Sequence, residues 1–276
     1  MRFGDIVVTL DPSRNGHTRM LVGLGLAARS GARLVGYYVS PTEGLLTEST
    51  VLSSWPHARE ASETSVPAGE IEERIRDEFE TELKQRGLDG EWLIGEKSMD
   101  LEGVLKHGRC ADLIIAGLTL VPSDLAEPDI ERLVVGSGRP VLGIPPGNVP
   151  DKIGKNIAVA WDGSREASRA VHDAIPFLQE SESISIISIA ATHHQVDSTD
   201  ELQAHFRRLG IAAVIDIDRT LHVESPADEI LMRLQLPEAD LLVAGAFGHS
   251  KFSERLFGGA SRTFLHQMMI PVLVSH

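Results

Sequence analysis

Cysteine is almost absent from this chain. The single thiol, Cys110, excludes an intrachain disulfide and fits a reducing compartment. Lying beside a repeated strand, it is expected to be a small buried apolar residue. Basic charge is also scarce: 26 Lys and Arg stand against 40 Asp and Glu, for a net charge of −14. Residues 1–150 carry −8 of this and residues 151–276 carry −6, so neither half is a basic module. The average field would repel a nucleic-acid backbone or an anionic membrane surface. Long apolar runs are missing as well. No stretch approaches eighteen apolar residues, and Met1-Arg2-Phe3-Gly4-Asp5 enters a strand without a preceding basic and apolar leader. That pattern is expected of a soluble, cytoplasmic protein. No Gly-x-x-x-x-Gly-Lys-[Ser/Thr] occurs, which excludes P-loop chemistry on motif evidence. Gly136-Ser137-Gly138 is not a Gly-x-Ser-x-Gly elbow and reads as a turn before Pro140.

What the chain does have is an internal repeat. Ala111-Asp112-Leu113-Ile114-Ile115-Ala116-Gly117 returns as Ala239-Asp240-Leu241-Leu242-Val243-Ala244-Gly245, and Pro140-Val141-Leu142 returns as Pro271-Val272-Leu273. A length of 276 residues suits two domains of about 140, each able to bury its own core. The first strands, Asp5–Asp11 and Asn156–Asp162, are short apolar runs ending in Asp, the look of a strand covered on both faces of a parallel sheet. Helical spacing follows in each copy. Met20, Leu21, Leu24, Ala27 and Ala28 share a face before Ser30-Gly31, and Ala167, Ala170, Val171, Ala174, Ile175 and Leu178 share one from about Ser164. Second strands are expected over Arg33–Val39 and Ser183–Ala190.

After the second strand the copies diverge. Residues 41–69, rich in Ser, Thr, Glu and Pro, form an insertion in the first copy, with Trp55, Leu45, Leu46, Val51 and Leu52 as its apolar content. Helices are then expected from about Glu70 to Arg86, buried through Ile71, Ile75, Phe79 and Leu83, and from about Ser198 to Leu209, around Leu202 and Phe206. The glutamates at 70, 72, 73, 78, 80 and 82 read as a solvated face. Third strands fall near Glu91–Ile94 and Ala213–Ile217. Third helices open at Ser98 and Ser225, the latter with Pro226 at the first helical position and Asp228 in the first turn. A last helix and a last strand, Val141–Ile144 or Val272–Ser275, close each copy. Alternating strands and helices imply two tandem doubly wound α/β domains, each with a five-stranded parallel sheet. The linker Pro145-Pro146-Gly147-Asn148-Val149-Pro150 sets the domains at 1–150 and 151–276. The closing strands are apolar edges and are expected to pair with each other.

Only the second copy follows its strand-ending glycine with a series, Gly245-x-x-Gly248, nine residues, then Gly258-Gly259. Ligands of open parallel sheets sit beyond the carboxyl ends of the strands, where Asp162 and Gly245 both lie. Glycines there permit positive φ and close backbone approach to a phosphate, and the helix start after Gly259 can receive an anion. Lys251, Arg255 and Arg262 add positive charge nearby. In a chain with 25 glycines the spacing alone is a weak signal, and the alternative is that these glycines only make turns.

Strand-Asp, Gly-x-x-Gly-x(9)-Gly and the closing Pro-Val-Leu strand resemble the universal stress protein family in its tandem two-domain form. The resemblance spans nearly all of both copies. It implies a cytoplasmic protein that binds ATP or senses an adenine nucleotide and often forms dimers. By position it would place Asp162 at the ribose and adenine, the Ile189 backbone at the base, and Gly245, Gly248 and Gly258 around the phosphates. The family's ATP binders usually carry Ser or Thr after the third glycine. Here that residue is Gly259, which keeps an amide but has no hydroxyl, and Ser261 lies two residues on. The first copy keeps Asp11 and Gly117 but has Leu120 and Ile130 in place of the second and third glycines, so it is read as lacking a triphosphate site.

Other constellations carry less. His193-His194 with Asp197 has metal-ligand types, but in a polar loop such residues usually face solvent. Asp11 and Asp162 lack an acid, nucleophile or metal partner, so binding or turn-making fits them better than general-base catalysis. No catalytic residue is assigned. The alternative function is a nucleotide-independent scaffold acting through protein contacts of the insertion. An adenylating enzyme would need a catalytic pair at the phosphate end, and none is identifiable.

Overall fold

The computed structural model describes residues 3–39, 68–95, 100–118, 130–147, 149, 152–188, 198–212, 214–218, 239–245 and 268–276. The chain divides into two units, one of Arg2–Arg139 with Ile144–Asp151, the other of Pro140–Gly143 with Lys152–His276.

In the first unit, β1 (Asp5–Leu10), β2 (Arg33–Tyr38), β3 (Gly90–Ile94) and β4 (Leu113–Gly117) form a parallel sheet in the order β3-β2-β1-β4. In β1, β2 and β4 the β-branched and leucine side chains are buried because helices cover the sheet, whereas at the β3 edge Ile94 is 51% exposed. The helix Arg14–Ser30 is capped by Ser13, whose hydroxyl accepts from the Gly16 amide, and ends at Gly31, where φ of 71° lets the chain leave. Met20, Leu24 and Ala27 are buried as the spacing predicts, together with Val22, Gly23 and Leu26. Leu21 and Ala28 are not: seven residues apart, they share a row that turns outward, and Leu21 is 40% exposed. The helix Ala68–Arg86 buries Ile71, Ile75, Phe79 and Leu83. Its acidic face is not wholly solvated, since Glu72 accepts from Trp92 Nε1 at 2.7 Å and Glu78 lies 3.3 Å from His17 Nε2.

The helix Leu101–Gly108 starts later than Ser98, because Asp100 is its cap and accepts from the Gly103 amide at 3.1 Å. Ser98 lies outside the described residues. Cys110 corrects the expectation of burial. It sits in the turn that joins this helix to β4 and is exposed. The helix Ile130–Ser137 then leads through Gly138, with φ of 63°, into β5 (Val141–Ile144).

The second unit contains β6 (Asn156–Trp161), β7 (Ser183–Ser188), β8 (Val214–Asp218), β9 (Leu241–Gly245) and β10 (Val272–Ser275). They run parallel in the order β10-β9-β6-β7-β8. The strand β5, whose residues Pro140–Gly143 belong to this unit, lies antiparallel on the edge of β10, with Val272 opposite Gly143 and Val274 opposite Val141. The two closing strands therefore do pair. Ala167, Ala170, Val171, Ala174, Ile175 and Leu178 are all buried, yet they lie on two helices, Arg165–Asp173 and Ile175–Leu178. Pro176 causes the break by lacking the amide that would bond the His172 carbonyl. The helix Thr199–Arg208 buries Leu202 and Phe206. The expected third helix from Ser225 falls outside the described residues.

The repeated Ala-Asp-Leu has a structural cause at the amino ends of the strands. Asp112 Oδ2 accepts from the Gly4 amide at 2.6 Å, and Asp240 accepts from the amides of Gly154 at 2.7 Å and Lys155 at 3.0 Å. Each aspartate thus binds the start of the fourth strand of its copy to the approach of the first.

Candidate functional site

The carboxyl edge of the second unit is built from the ends of β6, β9 and β10 and the first turn of the helix Arg165–Asp173. Asp162 follows β6 directly and is 8% exposed. Its Oδ1 accepts from the Ser164 amide at 2.9 Å, and Gly163 between them has φ of 71°, so an Asx turn carries the chain from strand to helix. Ser164 caps that helix by accepting from the Ala167 amide at 3.1 Å. The other oxygen, Oδ2, is buried and has no hydrogen-bond partner. A buried carboxylate oxygen without a donor is costly, and among the described residues Oδ2 is an acceptor that remains unsatisfied.

Gly245 ends β9 at the same edge, and its φ is not left-handed. A Cβ at this position would lie 2.4 Å from the Ala167 nitrogen and 2.4 Å from the Glu166 carbonyl carbon. Absence of a side chain therefore lets the helix start press directly onto the strand end. Ser275, opposite Gly245 on β10, is 1% exposed, and its Oγ also has no partner. At the β7 side, Trp161 Nε1 donates to Ser198 Oγ at 3.1 Å. Thr199 Oγ1 reaches Ser188 Oγ at 3.5 Å. The structure thus brings Asp162 and Gly245 of the expected site to one edge. Ile189, Gly248, Gly258, Gly259 and Ser261 lie outside the described residues, as do Lys251, Arg255, Arg262, Trp55 and the His193-His194-Asp197 loop.

The first copy repeats the turn with different electrostatics. Asp11 Oδ1 accepts from the Ser13 amide at 2.7 Å, matching the Asp162 turn. Its Oδ2, however, accepts from the guanidinium of Arg19, a side chain with no exposed surface whose Nε also donates to the Thr9 carbonyl at 2.7 Å. The repeat offset of 151 residues puts Ala170 where Arg19 stands, and among the described residues no cation pairs with Asp162. Ile130, in the place of the third glycine, is buried at the head of its helix, and Leu120 lies outside the described residues. Nearby, Tyr38 is buried with its hydroxyl unpartnered, and its ring stacks on Trp92 at 5.8 Å. Burial pushes the Tyr38 hydroxyl up from its ordinary pKa, with the Asp11 and Glu72 carboxylates adding to the shift.

Sequence reasoning missed Arg19 and Ser275. An arginine inside the apolar stripe of a helix, aligned with alanine in the other copy, is a visible signal for the first. For the second only the register of β9 and β10 reveals it. Among the described residues no group of three His, Cys, Asp or Glu is placed to hold a metal ion, and no helix is long and apolar enough to cross a membrane.

A sequence profile of the Universal stress protein family matches residues 154–276. No curated protein matches the chain. Among solved structures, the chain is similar to a universal stress protein from Archaeoglobus fulgidus DSM 4304, at 15% identity and a TM-score of 0.65, over 98% of this chain and 95% of that one. It is also similar to a functionally unknown protein from Pseudomonas aeruginosa PAO1, at 16% identity and a TM-score of 0.59, over 99% of this chain and 92% of that one. At these identities the two likenesses bear on the fold.

Proposed function

We propose, from the match of residues 154–276 to the universal stress protein profile and from the tandem α/β fold of the chain, that this protein is a stress-response protein of that family and binds ATP or another adenine nucleotide at a single site in its second domain. The domains in this reading are 1–150 and 151–276. Binding, not catalysis, is the function. The observation that carries it is the buried Asp162 Oδ2 without a partner, set against the same oxygen of Asp11 neutralised by Arg19. A ribose hydroxyl or an adenine amino group is the kind of donor that Oδ2 lacks. In the same reading the Ile189 backbone meets the base, and Gly245, Gly248 and Gly258 border the phosphates. Gly259 contributes an amide and Ser261 the nearest hydroxyl. A homodimer and a cytoplasmic location go with this family reading.

Mass spectrometry of ligand released from the purified protein tests the identity of the nucleotide without presuming ATP. Calorimetry then tests the site. One ATP per chain is expected, with binding lost in Asp162→Ala and retained in Asp11→Ala. Two equivalent sites, or undiminished binding by Asp162→Ala, would overturn the assignment. Absence of any nucleotide binding would leave the protein acting through protein contacts.

A further inference from the structure

The helix Thr199–Arg208 is shorter than its counterpart in the first unit, and the difference falls at the carboxyl edge. Gly87 and Gly210 follow the two helices with φ of 64° and 71°, and their amides bond the carbonyls of Lys84 and Arg207. Counted back from these glycines, Leu202 stands at the place of Phe79, Phe206 at that of Leu83, and Ser198 at that of Ile75. In the first unit the chain remains helical from Ile75 back to Ala68, so Ile75 lies buried inside a helix of 19 residues. The second helix has 10 residues and begins right after Ser198, which is half-buried. An apolar residue inside one helix is thus matched by a hydroxyl at the start of the other.

Ser198 does not cap its own helix. Its Oγ accepts from Trp161 Nε1 at 3.1 Å, which turns it toward the end of β6. A Cβ on Gly163 would lie 3.2 Å from this oxygen, and Gly163 itself is exposed. The hydroxyl therefore borders the turn Asp162-Gly163-Ser164 at a point that solvent reaches. Among the described residues Ser198 Oγ accepts that one bond and donates none, so its hydrogen is available. Asp162, next to Gly163, has only acceptors to offer when ionised. Side by side, a donor and an acceptor suit a ligand group that both accepts and donates. A ribose carries two such hydroxyls on adjacent carbons, whereas an amino group would answer Asp162 alone. A phosphate is the wrong group here, because Asp200 and Glu201 stand in the first turn after Ser198 and Asp162 adds a third carboxylate.

We propose that Ser198 is a further binding residue of this edge, donating its hydroxyl hydrogen to a ribose hydroxyl oxygen, so that the second unit selects ribonucleotides over deoxyribonucleotides; this rests on the nucleotide reading of Asp162. The bond from Trp161 holds the serine oxygen in place and leaves its hydrogen to the ligand. Ile75 offers no donor at the corresponding place in the first unit.

The test titrates ATP, 2′-deoxy-ATP and 3′-deoxy-ATP into the full-length wild type, Ser198→Ala and Ser198→Thr by calorimetry, with thermal unfolding of each ligand-free protein. A hydrogen bond between neutral groups corresponds to a loss of about two- to tenfold in ATP affinity for Ser198→Ala. One of the two deoxynucleotides, the one lacking the contacted hydroxyl, should bind wild type and Ser198→Ala equally. Ser198→Thr keeps the hydroxyl and should keep the preference for ATP over that deoxynucleotide. Equal ATP affinity in wild type and Ser198→Ala overturns the role of Ser198 while leaving the nucleotide site standing. An equal loss for all three nucleotides overturns it too, since Ser198 would then act only by anchoring Trp161. If wild type binds no nucleotide, the functional reading fails and this inference fails with it.

Discussion

At the scale of residues, the two copies differ most in what faces their shared aspartate. Asp11 and Arg19 form a buried ion pair whose removal from one side leaves a buried charge without its counter-charge. Arg19→Ala is expected to cost about 3–5 kcal/mol of folding stability in chemical denaturation, whereas the double variant Asp11→Ala/Arg19→Ala should recover part of that loss. Recovery of nothing would show that Arg19 acts mainly by packing. Tyr38 presents the opposite case, a neutral group that burial prevents from ionising. Its pKa is raised in the folded chain from an ordinary 10.0, so the unfolded chain loses the proton first. The contribution of this group is therefore complete below pH 10 and is lost as pH rises beyond it. Tyr38→Phe should be as stable as wild type, or more so, at neutral pH and should flatten the decline above pH 10. An unchanged alkaline decline in denaturation profiles would place the titration on other groups.

At the scale of elements, the glycine at the end of β9 is a packing residue before it is anything else. Gly245→Ala places a methyl group 2.4 Å from backbone atoms of the helix that follows β6. The helix must shift, at an expected cost of about 1–3 kcal/mol in urea denaturation. Full stability in the variant would show that the helix start yields freely. Gly248→Val, by contrast, is expected to lower ATP affinity much more than stability, because the proposed role of that position is close phosphate approach. These elements also show what the sequence reveals and what it hides. Strand and helix order followed from the repeat and from periodicity, because apolar stripes such as Ile71, Ile75, Phe79 and Leu83 report burial directly. The break at Ala174 was also written in Pro176. The outward turn of Leu21 and Ala28 was not, since apolar spacing marks a stripe without locating its centre. In the candidate site, Asp162 and Gly245 were legible from their strand ends. Ser275 was hidden because its place beside Gly245 is set by the register of β10 on β9, which apolar patterning does not report. Arg19 was overlooked because an apolar-stripe search skips charged residues, although a buried guanidinium can be held by a carboxylate and a carbonyl.

At the scale of the molecule, the second unit draws its outermost strand from before the linker. Residues Pro140–Gly143 lie on β10, so a fragment cut at residue 151 would leave the β10 edge without its partner. A fragment of residues 140–276 is accordingly expected to stay soluble at concentrations where 151–276 self-associates, as size-exclusion chromatography would show. Equal behaviour of the two would mean that the β10 edge needs no cover. The aspartates that stitch the amino ends of the sheets have a wider implication. Asp112 and Asp240 fasten backbone amides, whose geometry every residue type supplies, so their grip does not depend on which side chains occupy the opposite edge. The two copies can therefore carry different carboxyl edges, with Arg19 against Asp11 in one and Ala170 at the corresponding place in the other, while the fastening at the far end stays the same.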